Sequence, residues 1–93
     1  MTSLNYALVS AYLSDTNAQL KGRRKSLATF KKKLSFYDTN PLSENASIYE
    51  IAVYDAIKRQ HDLYAADVAR LQDNVRILTN QLEANTNDST TSR

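Results

Sequence analysis

The sequence predicts an all-α fold: two long antiparallel helices forming a coiled-coil-like helical hairpin. Three observations predict it. Leu and Tyr recur at heptad spacing over two long stretches. One short polar connection, rich in turn and cap residues, separates those stretches. The 93 residues include one Gly and one Pro, too few for the turns of a sheet-rich fold.

The first helix is expected over 4–37. Tyr6, Leu13, Leu20, Leu27 and Leu34 recur every seven residues. The positions three further on are Val9, Thr16, Arg23, Phe30 and Tyr37. This is an a/d heptad with polar faults at Thr16 and Arg23. Ser3 is the expected N-cap. Gly22 costs about 1 kcal/mol relative to Ala inside a helix. The alternative is a three-helix bundle with a break at Gly22, which would cap a helix ending near Leu20. The continuous helix is preferred, because the Leu heptad keeps its phase through Gly22.

The connection, 38–47, contains Asn40-Pro41 and ends at Ser47. The second helix is expected over 48–84. Tyr54, Ile57, His61, Tyr64, Val68, Leu71, Val75, Leu78 and Leu82 alternate in steps of three and four, and only His61 breaks the apolar seam. Ser47 and Glu50 have capping-box spacing. A competing start places Asn40 as cap and Pro41 in the first turn. Each helix would be about 50 Å long or slightly more, at 1.5 Å per residue. Residues 1–84 then make a single hairpin domain. The tail, 85–93, has no apolar side chain and is expected to be disordered, since nothing in it offsets the entropy of ordering.

A turn centred near Leu42 makes facing residue numbers add to about 84. Leu27 then meets Ile57, Leu20 meets Tyr64, Leu13 meets Leu71 and Tyr6 meets Leu78. Arg23 and His61 coincide as a polar seam layer, whose cost Asp62 or a partner's carboxylate would offset, unless Arg23 carries its guanidinium out of the seam. The basic run falls beside Glu50, Asp55 and Asp62, where cross-helix pairs would add tenths of a kcal/mol each.

Charge supports two segments folding on each other. Residues 1–40 hold seven basic and two acidic side chains, and residues 41–93 hold five basic and eight acidic. With no Cys and a single His, the chain has no disulfide framework, thiolate site or multi-histidine metal site. Tyr, Ser and Asp are plentiful, but an extended hairpin does not gather them in a pocket. A non-enzymatic protein without cofactor or metal is therefore expected. No apolar run is long enough to span a membrane, and the N-terminus lacks a classical secretory signal. The expected location is cytoplasmic, or within an assembled particle.

A two-helix hairpin buries one stripe per helix, and several large apolar residues fall off it. Near the open end these are Leu4, Leu8, Tyr12, Leu63 and Ile77, and near the turn Phe36, Ile48, Ile51 and Val53. Other protein helices are the expected cover, as in a homo-oligomeric or hetero-oligomeric bundle. The leading function is a structural assembly subunit, with Leu4, Leu8, Tyr12, Leu63 and Ile77 as its partner interface. A second function is a nucleic-acid-binding regulator, or one bound to an anionic surface. Its stripe would be Lys21, Arg24, Lys25, Lys31, Lys32 and Lys33, on the outer side of the seam. A third is a small chaperone or adaptor that masks a partner's amphipathic helix. The basic sequence before Ser26 and the sequons at Asn45 and Asn87 are short patterns that arise by chance.

Overall fold

Two helices account for the computed structural model: α1 (Ser3–Thr39) and α2 (Ile48–Thr91), with no strand among the described residues. Together they form a helical hairpin. The structure describes the backbone of residues 3–91 and the side chains of residues 5–84. Ser3 is the first helical residue, and its side chain, expected as the N-cap, lies outside the described residues. No helix among the described residues is long and apolar enough to cross a membrane.

α1 is unbroken at Gly22, and no glycine has a positive φ. The three-helix alternative is therefore not adopted. One glycine costs about 1 kcal/mol, whereas a break would disrupt the Leu seam on both sides of it. α1 closes on Phe36: its carbonyl oxygen accepts from the Asn40 backbone N–H at 2.9 Å and the Asn40 side-chain amide at 3.0 Å. The Thr39 hydroxyl donates to the same oxygen at 3.2 Å. Asn40 thus ends α1 and does not start α2, which corrects the Asn40-Pro41 start. Its side-chain amide donates to the Phe36 carbonyl and to the Thr39 hydroxyl, and so closes the last turn.

α2 starts where Ser47 and Glu50 place it. The Glu50 backbone N–H donates to the Ser47 hydroxyl at 3.1 Å, and the Ile51 N–H to the Ser47 carbonyl at 3.1 Å. The connection between the helices includes a turn in which the Ala46 N–H donates to the Ser43 carbonyl at 3.1 Å. The backbone of α2 runs on to Thr91, whereas the sequence leads one to end the helix at Ala84 and leave 85–93 without order. No Gly or Pro stops it there, and extending an existing helix fixes only one residue per hydrogen bond gained.

The chain divides into two units. A terminal unit joins Met1–Lys21 with Ala69–Arg93, and a turn unit spans Gly22–Val68. In the terminal unit the buried apolar residues are Leu20, 5% exposed, and Leu71, 3% exposed. Thr16, one of the seam faults, satisfies its hydroxyl locally by donating to the Tyr12 carbonyl at 2.7 Å. In the turn unit Val68 is the buried apolar residue. Aromatic pairs join the helices there: Tyr37 meets Tyr54 edge-on at 4.9 Å, and Phe30 stacks on Tyr64 at 5.5 Å.

These pairs correct the expected register. Tyr37 with Tyr54 and Arg23 with Asp67 make facing numbers add to about 90 or 91, not about 84. The difference is one heptad. A heptad seam is blind to a slip of seven, because every apolar layer meets another apolar layer. What differs is the centre: α2 begins at Ile48 as expected, but facing positions centre near residue 45, not Leu42, so the path of the connection sets the register. In the terminal unit, pairing the buried Leu20 with Leu71 brings Leu13 to Leu78 and Tyr6 to position 85. The apolar seam of α2 has ended before that position, and Tyr6, read from the sequence as a seam residue, is exposed.

Candidate functional site

The off-seam residues are where a hairpin meets its surroundings, and most of those picked out by periodicity are exposed. In the terminal unit Leu8, Tyr12 and Ile77 present apolar surface to solvent. Leu4 is helical, and its side chain lies outside the described residues. In the turn unit Phe36, Ile51, Val53 and Leu63 are exposed, while Ile48 and Tyr49 are 84% and 83% exposed. The structure divides the expected interface, with Leu8, Tyr12 and Ile77 in one unit and Leu63 in the other. Tyr49 and Tyr6 were missed from the off-seam set. Tyr49 follows Ile48 at the helix start and precedes the first seam residue, Tyr54, so position alone could have found it.

Two open grooves flank the connection, sharing Tyr37, Pro41 and Leu42 as a ridge. The larger, about 580 Å³, is lined by Leu34, Tyr37, Asp38, Pro41, Leu42, Tyr54, Lys58, His61 and Asp62. The other, about 470 Å³, is lined by Phe36, Tyr37, Asn40, Pro41, Leu42, Ser43, Tyr49, Glu50 and Val53. Periodicity gave no hint of them. They arise where the irregular connection between α1 and α2 leaves the two flanks of the Tyr37, Pro41 and Leu42 ridge uncovered. Among the described residues, no group of three or more His, Asp or Glu is placed to hold a metal ion.

The polar seam residues find other partners than each other. Arg23 Nε lies 3.0 Å from Asp67 Oδ2, and its guanidinium carbon lies 6.0 Å from the centre of the Tyr64 ring. The Arg23 side chain is 50% exposed and that of Asp67 31%. Arg23 thus pairs with Asp67 while its side chain stays half in water. His61 Nδ1 is 3.0 Å from Asp62 Oδ1, on its own helix. The expected Arg23–His61 layer is thus replaced by two separate pairs. The slip of one heptad carries Arg23 past His61, and Asp67 supplies the acid expected from Asp62.

The basic residues face outward. Lys21, in the terminal unit, and Arg24, Lys25, Lys31, Lys32 and Lys33, in the turn unit, are all exposed. Lys33 Nζ sits 4.7 Å from the centre of the Phe30 ring. None of these cations forms an ion pair among the described residues. The cross-helix pairs expected with Glu50, Asp55 and Asp62 are therefore not made, and the register slip is the reason. Compared with protein-family models, curated proteins and solved structures, the chain matches none.

Proposed function

We propose that the chain is a non-enzymatic assembly subunit, a helical hairpin that enters an oligomeric bundle through apolar faces its own two helices leave open. The supporting observation is an imbalance. Among the described residues the buried apolar side chains are Leu20, Val68 and Leu71, against ten large apolar side chains exposed. Fully burying one such side chain is worth about 1.5–3 kcal/mol. A contiguous set left in water is a surface that association stabilises.

Sedimentation equilibrium at micromolar concentration tests this. The expected result is a mass above that of one chain, falling towards one chain in Leu8→Glu or Ile77→Glu while helicity by circular dichroism is kept. A well-folded monomer that captures no partner overturns the reading. A soluble one-to-one complex with another protein moves it to a chaperone or adaptor.

A second reading, a nucleic-acid-binding regulator, is favoured by the exposed cations without acidic partners. Each phosphate contact releases counterions, so affinity should fall steeply with salt. Replacing Lys31, Lys32 and Lys33 by Gln should weaken binding and flatten that dependence. Unaltered retention in the triple variant sinks this reading.

A further inference from the structure

We propose that the turn end of one copy seats on the basic flank of a second copy, with Phe36, Tyr49 and Glu50 on one side of the contact and Arg24, Lys31 and Lys32 on the other. The inference rests on the assembly reading and names its partner and surface. It concerns the turn unit alone.

The start of α2 exposes apolar side chains on several sides, with Glu50 among them. Ile48, Tyr49, Ile51 and Val53 are each exposed, and successive helical residues lie about 100° apart. A helix start with that pattern suits enclosure. Phe36 and Tyr49 line the groove of about 470 Å³, with Glu50 beside them. Charge selects the occupant. Residues 35–57 contain Asp38, Glu44, Glu50 and Asp55 and no Lys, Arg or His. A second turn end would therefore be repelled, and a cationic surface attracted.

The chain itself supplies that surface. Residues 22–34 hold six cations and no acid. Of these, Arg24, Lys25, Lys31 and Lys32 are exposed and make no ion pair among the described residues. Lys and Arg suit an aromatic groove with an acidic rim, because the stem lies on the ring while the head reaches the carboxylate. The hairpin already uses this chemistry internally, with Lys33 over Phe30 at 4.7 Å and Arg23 over Tyr64 at 6.0 Å. The two surfaces differ, so the contact is heterologous. Each copy in a pair keeps one free surface, and the contact repeats from copy to copy.

The test uses two variants of the full chain: a turn variant, Phe36→Ser with Tyr49→Ser, and a flank variant, Lys31→Glu with Lys32→Glu. All four positions are exposed, and circular dichroism checks that helicity is kept; Tyr49→Ser alone serves if the double change unfolds the turn. Mass is read by sedimentation velocity. Wild type is expected to form species larger than two copies that shrink as salt rises. Each variant alone should lose them. An equimolar mixture of the two should form species that neither variant forms alone, because each supplies the surface the other lacks. The inference is overturned if wild type assembles and both variants assemble equally well, or if salt promotes assembly, the mark of turn end meeting turn end. It is also overturned if the flank variant loses only retention on nucleic acid with its mass unchanged. A monomeric wild type overturns the assembly reading as well.

Discussion

The turn unit and the terminal unit hold their helices together with different chemistry. In the turn unit, Tyr37 packs edge-on against Tyr54, Phe30 stacks on Tyr64, and Arg23 reaches Asp67. Each of these contacts is directional, so a slip of one heptad breaks it. Among the described residues of the terminal unit the buried ones are two leucines, Leu20 and Leu71, and one leucine layer resembles the next. Aliphatic layers supply stability without choosing among registers that differ by a heptad. Aromatic and ionic pairs add less energy but distinguish the register that the connection sets from its neighbours.

The sharpest way to break the comparison is to remove the aliphatic contribution. Leu71→Ala should cost about 2–5 kcal/mol, the usual range for emptying a buried leucine site. Leu71 is 3% exposed, so little water already fills the space. Urea unfolding followed by helicity, at fixed protein concentration because association adds to apparent stability, measures the loss. A cost below about 1 kcal/mol would mean that the terminal unit is not held by its leucine layer.

The matching change in the turn unit is Tyr64→Ala. It removes the stack on Phe30 and the ring beneath Arg23 together. The ring is half-buried, so the loss should be smaller, about 2 kcal/mol. A double-mutant cycle with Phe30→Ala should return a coupling of about 0.5–1.5 kcal/mol for the aromatic pair itself. No coupling would show that the pair packs independently and gives the unit no register.

This contrast also explains what was legible in the sequence. The helices, the connection and the off-seam apolar residues follow from local period and composition, so Leu8, Tyr12, Phe36, Ile48, Leu63 and Ile77 could be named as exposed. The Ser47 cap was legible because its partner lies three residues away, at the Glu50 N–H. Register was not, because the heptad repeats on either side of the connection, and the path the connection takes, which no period describes, decides where facing positions centre. The Arg23–Asp67 pair and the exposure of Tyr6 were lost with the register. The two grooves stayed hidden for a related reason: they form where the connection is irregular, and no period describes that.

Gly22 sharpens the comparison from the stabilising side. It sits in an unbroken stretch of α1, and a Cβ built there meets no atom within 4 Å. Gly22→Ala should therefore raise stability by about 1 kcal/mol, chiefly by narrowing the unfolded ensemble and improving helix propensity. The measurement is the urea midpoint with an unchanged slope. A loss of stability would reveal a close approach at Gly22, such as a neighbouring chain in the assembled state, and comparing dilute with concentrated protein would expose it.

The smallest expected effect carries the most information about register. Arg23 and Asp67 are both partly exposed, so water screens their attraction and a cycle of Arg23→Ala and Asp67→Ala should give a coupling below about 1 kcal/mol. Stability will barely report this pair. Its larger role is to disfavour the slipped register, in which Arg23 would face His61 without Asp67. Disulfide trapping between cysteines placed at Tyr37 and Tyr54 reads that directly, since bridging needs Cα atoms within about 7 Å. In an otherwise wild-type chain this cross-link should form readily. With Asp67→Ala, a competing cross-link one heptad away, between cysteines at positions 37 and 47, should gain at its expense. If the 37–54 link forms equally well with and without Asp67, the ion pair has no part in setting the register, and the Phe30–Tyr64 stack and the connection set it in that chain.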